Sequence, residues 1–235
     1  MANLKIQGVT PAAGKIKVGS SDVSKIYKGS TVVWPISSDI PVDVCNIEWD
    51  EVNSSLTQLI AGGNIPILNS SSAWKTAWDN ETPAACYVNF DANNSSYGLL
   101  YNYFAKDTIQ PPTGYRLPSP SDFAALTSAP CYTGVGNFNR YGANPGNWDL
   151  SVLTDTTELG DSGLNIQGYG SGFLNISSGV LSFIFVGTGE LYWNNNPDGI
   201  SAAQGFLVSS GNGYLTGNTA GAGNRRAHFI RFVKI

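Results

Sequence analysis

Pro112-Thr113-Gly114-Tyr115-Arg116-Leu117-Pro118-Ser119-Pro120-Ser121-Asp122-Phe123-Ala124-Ala125-Leu126 holds the clearest local signal in the chain. Ser119 is placed to cap a helix, Pro120 takes its first position, and Asp122 complements the positive end of its dipole. A helix is therefore predicted to start at Ser119 and run into Phe123-Ala124-Ala125-Leu126. Upstream, residues 85–90 and 98–104 have the aromatic and β-branched content of strands. Residues 53–61 form a second helical candidate. Downstream, residues 127–172 are punctuated by Gly, Asn and Asp and read mostly as long loops. Strand signals return at 180–185, 190–193, 205–208 and 228–234, the last being the strongest. Many short strands with about two helices and long loops predict an α+β protein, mostly β.

The first forty residues read differently. Lys15-Ile16-Lys17-Val18 alternates polar and apolar, as a half-buried strand does. Gly19-Ser20-Ser21-Asp22 reads as a turn, and residues 23–27 and 31–34 as two further strands. Such a β-meander is too small to bury much core alone. It is expected to lean on an oligomer partner, a neighbouring protein or the following domain. Pro35 to Pro41 reads as a linker, giving an N-terminal β module at 1–38 and a second domain at 39–235.

Composition narrows the functional classes. Of 235 residues, 42% are hydrophobic and only 13% charged, against about a quarter charged in an average soluble domain. The polar surface must come from Asn, Ser, Thr and Gly, which satisfy turns through side-chain-to-backbone hydrogen bonds. A net charge of -4 with no basic cluster argues against nucleic acid as a partner. No apolar run reaches about 18 residues, so no membrane insertion is expected. Met1-Ala2-Asn3-Leu4-Lys5 lacks the apolar region of a signal peptide. The expected route to the outside is release by lysis. Cys45, Cys86 and Cys131 fit neither a metal pattern nor a disulfide framework. They read as buried thiols, with a single bridge as the alternative.

Catalytic signals are thin. His228 is the chain's one histidine and lies in a strand signal, without a nucleophile elbow elsewhere. Asp149, Asp155, Glu158 and Asp161 cluster in sequence, as surface loops commonly do. No catalytic residue, metal site or cofactor is expected. One segment is more suggestive: Tyr192-Trp193-Asn194-Asn195-Asn196-Pro197-Asp198-Gly199. It sets rings beside amides and a carboxylate, the mixture that recognises carbohydrate, and its oxygen ligands also suit Ca²⁺. Tyr192, Trp193, Asn194, Asn195, Asn196 and Asp198 are the candidate ligand-binding residues. Trp193 itself reads as a core aromatic.

Several stretches in order carry a resemblance. Ala85-Cys86-Tyr87-Val88-Asn89-Phe90-Asp91, Tyr97-Gly98-Leu99-Leu100-Tyr101-Asn102-Tyr103-Phe104-Ala105, Pro112 to Ser119 and Asp122-Phe123 follow an order similar to that of the Fibrobacter succinogenes major paralogous domain family. Tyr192-Trp193 and Ile230-Arg231-Phe232-Val233 extend it over residues 42–235. The resemblance implies a C-type-lectin-like fold, with two helices, a long looping chain and a terminal strand returning to pair near the start. It implies surface display and binding and no defined reaction. Tyr115 stands where that family usually has Trp, Asn194-Asn195 replaces Ser-Ser, and Gln110-Pro111 occupies the place of a usual Cys. The fold expectation survives these departures; transfer of a disulfide does not.

Val23-Ser24-Lys25-Ile26-Tyr27-Lys28-Gly29-Ser30-Thr31-Val32-Val33-Trp34 is similar to a short module of phage virion proteins. Together the two resemblances imply a virion protein with an N-terminal anchor on other virion proteins and a lectin-like tip, expected to be a homotrimer. The first expectation is a fibre or decoration protein that binds a host-surface glycan or protein and is not an enzyme. The alternatives are a purely structural virion part, such as a head fibre or tail adaptor, and a surface-polysaccharide depolymerase.

Overall fold

The computed structural model describes residues 47–50, 53–126, 164, 166, 168–186, 190–197 and 225–235. It also describes the backbone alone at 17–18, 21–22, 26–28, 31–34, 42–44, 189, 203–209 and 212–217. The chain divides into two compact units, Met1–Ile40 and Pro41–Ile235. In the first, β1 (Lys17–Val18) pairs antiparallel with β2 (Ser21–Asp22), and β3 (Ile26–Lys28) with β4 (Thr31–Trp34). Ser21 and Asp22, expected in a turn, are paired strand residues, so this hairpin is tighter than the four-residue turn predicted. A register shift between Ile26 and Tyr27 interrupts the second pair.

The second unit opens with β5 (Val42–Val44), β6 (Ile47–Trp49) and β7 (Ile67–Leu68), followed by helix α1 (Ser71–Asp79). Next come β8 (Ala85–Cys86), two short 3-10 segments (Val88–Phe90 and Ala92–Tyr97), β9 (Leu100–Tyr101) and the single-turn helix α2 (Tyr103–Lys106). Then β10 (Tyr115–Arg116), α3 (Pro120–Ala125), β11 (Ser171–Asn175), β12 (Val180–Ile184) and β13 (Gly189–Trp193). The chain ends with β14 (Ala203–Ser209), β15 (Asn212–Gly217), β16 (Arg226–Ala227) and β17 (Val233–Lys234). This is an α+β protein of mostly strands, few helices and small sheets.

One sheet closes the second unit on itself. Its order is β10-β17-β6-β5, so the last strand of the chain lies between the unit's opening strands and β10. Val233 pairs with Trp49 on one side and with Arg116 on the other. The remaining sheets are smaller: β7-β8-β9, β12-β11-β16 and β13-β14-β15.

The predicted start of α3 is present. The Ser119 hydroxyl accepts from the Asp122 amide at 3.2 Å, and the Asp122 carboxylate accepts from the Ser119 amide at 2.6 Å. This reciprocal capping box satisfies two donors that a helix end otherwise leaves bare. The carboxylate also takes both amino groups of Arg116, which fixes α3 to β10. The second helix is not where it was expected. Residues 53–61 are non-helical because tertiary partners take their backbone groups: Ser54 N–H donates to Ile230 O, Leu99 N–H to Ser54 O, and Ile60 N–H to Thr108 O. The helix is instead α1, capped by the Ser70 hydroxyl, with Trp74 and Ala77 buried.

Two other expectations change. Residues 85–90 and 98–104 each supply only a two-residue strand before a helical segment, Val88–Phe90 in the first and α2 in the second, where Asn102 caps by accepting from Ala105 N–H. The closing segment is not one continuous strand. It is β16, isolated bridges at His228 and Phe229, and β17. Residues 227–233 are all buried because they feed two cores at once. Phe229 and Val233 join Trp49, Trp74, Phe123 and Tyr192, whereas Ile230 and Phe232 join Tyr101, Ile109 and Trp193. The strand signal of residues 205–208 falls inside β14, and most of the loop stretch 127–172 lies outside the described residues.

Candidate functional site

The aromatic-amide segment begins inside the core. Tyr192, Trp193 and Asn194 are each at most 1% exposed. The Trp193 indole donates to Tyr101 O at 2.7 Å, so its polar edge is satisfied internally and it is a core aromatic, as read. The Tyr192 hydroxyl donates to a Glu190 oxygen at 2.6 Å. These three side chains present no surface to a ligand in this conformation, because strand β13 carries them inward as far as Asn194. The chain then emerges: Asn195 is exposed, Asn196 half-buried and Pro197 exposed. Asp198 lies outside the described residues.

The emerging loop is held at three points. Asn195 N–H donates to Pro118 O at 2.8 Å, next to the α3 cap. Asn196 N–H donates to the Asn194 side-chain oxygen at 2.9 Å. The Tyr103 hydroxyl of α2 donates to Pro197 O at 2.8 Å. These contacts fix the backbone that carries the exposed Asn195 and the half-buried Asn196, so little backbone freedom is left for a ligand to remove. Tyr103 is not a free stacking platform: the Lys106 ammonium lies 5.0 Å from its ring centroid, and Trp193 packs edge-on at 5.9 Å.

Strand β13 also joins, through Glu190 and Tyr192, a buried polar network that no local sequence pattern marks. Arg231, 2% exposed, donates through Nε and Nη2 to the Asn53 side-chain oxygen and through Nη1 to Leu164 O. Asn53 passes the contact on, donating from Nδ2 to Glu190 at 2.6 Å and to Tyr97 O at 3.1 Å. Glu190, fully buried, also accepts from Tyr169 N–H at 3.2 Å. A buried carboxylate held by three donors beside a guanidinium is adequately compensated. Burial foremost, and the Glu190 charge with its hydrogen bond, push the Tyr192 hydroxyl well above its ordinary pKa despite Arg231. The only hint in the sequence was Arg231 inside an otherwise apolar closing segment.

His228 is fully buried, with Nδ1 2.8 Å from the Ser171 hydroxyl and its ring 4.5 Å from that of Trp193. Ser171 is equally inaccessible, so this Ser–His pair meets no substrate as folded. A crevice of about 170 Å³ lined by Trp49, Phe123, Leu164, Ile166, Tyr192 and Arg231 is too constricted to hold a ligand. Cys86 is a free, fully buried thiol whose pKa burial drives upward, which makes it a small hydrophobe of the core. Cys45, Cys131 and the acidic cluster at 149–161 lie outside the described residues. Among the described residues no three His, Cys, Asp or Glu side chains group to hold a metal. No helix there is long and apolar enough to cross a membrane. No family model, no curated protein and no solved structure matches the chain.

Proposed function

We propose that this chain is a bacteriophage virion fibre or decoration protein. In this reading its second unit is a C-type-lectin-like domain that binds a host-surface glycan or protein without catalysing a reaction. The observation that carries it is the closure of the second unit. The last strand, β17, returns to pair with β6 near the unit's start, as the sequence resemblance implies. Helices α1 and α3 on either side of the motif-bearing segment fit the same architecture. The pinned loop at 194–197 supplies the exposed Asn195 and half-buried Asn196 amides on a fixed backbone, a fitting contact for sugar hydroxyls. The first unit, built of short hairpins, suits attachment to other virion proteins. Fold by itself does not establish a ligand.

A structural virion role is the second reading. Exposed apolar side chains favour it: Ile60 is 61% exposed and Val180 46%, with Phe185 and Val186 also open. Saturable binding of the purified protein to intact candidate host cells separates the two. An Asn195→Ala/Asn196→Ala/Asp198→Ala variant is expected to bind at least tenfold more weakly. Retained binding would move the site to another face. A folded protein that binds no host would overturn host recognition and favour the structural role.

A further inference from the structure

His228 occupies a junction of three strands. Its backbone exchanges hydrogen bonds with Tyr101 of β9 in both directions, at 2.8 and 3.1 Å. Its ring meets Ser171 of β11 through Nδ1 and packs on Trp193 of β13. The next residue, Phe229, is bonded to Leu191 and Trp193 by backbone contacts of 3.0 and 2.9 Å. Trp193 leads directly into the loop at 194–197. What happens at His228 is therefore felt at the root of the candidate ligand loop.

The imidazole is fully buried, and its Nε2 has no hydrogen-bond partner among the described residues. The Ser171 hydroxyl also lies 3.0 Å from Ala227 O, to which it donates. Neutral imidazole leaves one nitrogen without a partner, a modest cost for a group beside an aromatic face. The Ser171 oxygen can accept from Nδ1, but imidazolium would also need an acceptor at Nε2 and a counter-charge, and the described residues offer neither. The charged groups on the surrounding elements do not supply one. Arg226 on β16 is itself cationic, and Lys106 on α2 is paired with Asp107. Glu190 on β13 is held by Asn53, Tyr192 and the Tyr169 amide. Tyr101 on β9 stays neutral, its pKa raised by burial.

We propose that His228 is an acid trigger for the loop: its protonation unseats the Trp193 ring and frees residues 194–197 from their fixed conformation. Only the consequence for binding rests on the host-recognition reading; the conformational change does not. Burial foremost, then the charge of Arg226, hold the imidazole well below its ordinary pKa. The sign follows. The closed state excludes the proton and the open state takes it, so the closed state is fully favoured above about pH 6.5 and loses ground below it. With one proton taken up, the open state gains up to about tenfold per pH unit below pH 6.5, or about 30-fold in all from pH 7.5 to 5, above the carboxylate range.

The chain has one histidine, so its ring resonances in NMR belong to His228 without ambiguity. Amide hydrogen exchange at Trp193 and Phe229, followed from pH 7.5 to 5 after correction for the intrinsic rate, reads the opening without any ligand. Opening is expected to rise about 30-fold from pH 7.5 to 5 in the native protein and to stay flat in His228→Gln. Equal slopes in both proteins, or an imidazole that titrates near its ordinary pKa with Trp193 still protected, would overturn the trigger. Should His228→Gln not fold, the imidazole titration and the native exchange profile decide the matter alone. Cell binding at pH 7.5 and 5 is a separate arm. Opening without any binding at either pH would sink host recognition and leave the trigger standing.

Discussion

Asn53 shows how much can hang on one amide. Its oxygen takes two guanidinium donors from Arg231, and its nitrogen donates to the buried Glu190. An amide is suited to this bridge because it offers an acceptor and a donor on one short stem; aspartate would place a second carboxylate against Glu190. Close packing adds to the constraint. Gly98 has φ +83, and a side chain there would meet Asn53 Cβ at 2.7 Å and Asn53 O at 2.8 Å. Asn53→Ala leaves one charge on each side short of a partner, so it is expected to destabilise the second unit by about 3–5 kcal/mol. Urea unfolding should show this as a lower midpoint with an unchanged slope. A loss under about 1 kcal/mol would mean that water or a shifted side chain repairs the network. Nothing local marks Asn53 for this role. Its partners lie 137 and 178 residues away, and its sequence neighbourhood reads as the start of a helix.

At the scale of elements, α3 was legible because all its signals are local. Cap, first-turn proline and acidic residue fall within four residues, and no distant partner competes for them. Ser119→Ala removes the hydroxyl that accepts from Asp122 N–H and is expected to cost about 1 kcal/mol. Asp122 adds a pH signature. Burial by itself raises its pKa, yet the Arg116 guanidinium and the Ser119 amide and hydroxyl outweigh it, and the carboxyl sits below its usual range. Its contribution is therefore whole at neutral pH and drains as pH falls below about 4. Stability measured between pH 5 and 2.5 should fall less steeply in Asp122→Asn than in the native protein. Identical slopes would remove Asp122 from the acid response. Residues 53–61 failed as a helix for the opposite reason: their backbone groups go to Ile230, Leu99 and Thr108, which no local pattern reveals. The candidate loop was legible in composition but not in depth. Trp193 reads as a core aromatic, but nothing local shows that Tyr192 and Asn194 go inward with it, leaving Asn195 and Asn196 as the accessible part of the candidate loop.

For the whole molecule, the alternation of short strands and turns was enough for the class, α+β and mostly strands, whereas the pairing of β17 with β6 joins chain ends that local signals cannot connect. The two units differ in how they meet the cost of ordering a chain. The second buries two aromatic-rich cores and closes its own sheet, which supports independent folding. In the first, the strands among the described residues form only two-stranded sheets, β1-β2 and β3-β4. A lone hairpin is marginal in water. A 40-residue segment also buries too small a fraction of its surface to offset its conformational entropy. Association through the first unit is the economical remedy, since each copy covers another's unpaired strand edges. The intact chain is therefore expected to be a homotrimer, and residues 41–235 alone a folded monomer. Light scattering at micromolar concentration on both proteins checks this. A monomeric intact chain would mean that the first unit is not held by further copies of this chain. A trimeric truncated chain would place the contact on the second unit, where Ile60, Val180, Phe185 and Val186 would be the side chains to test next.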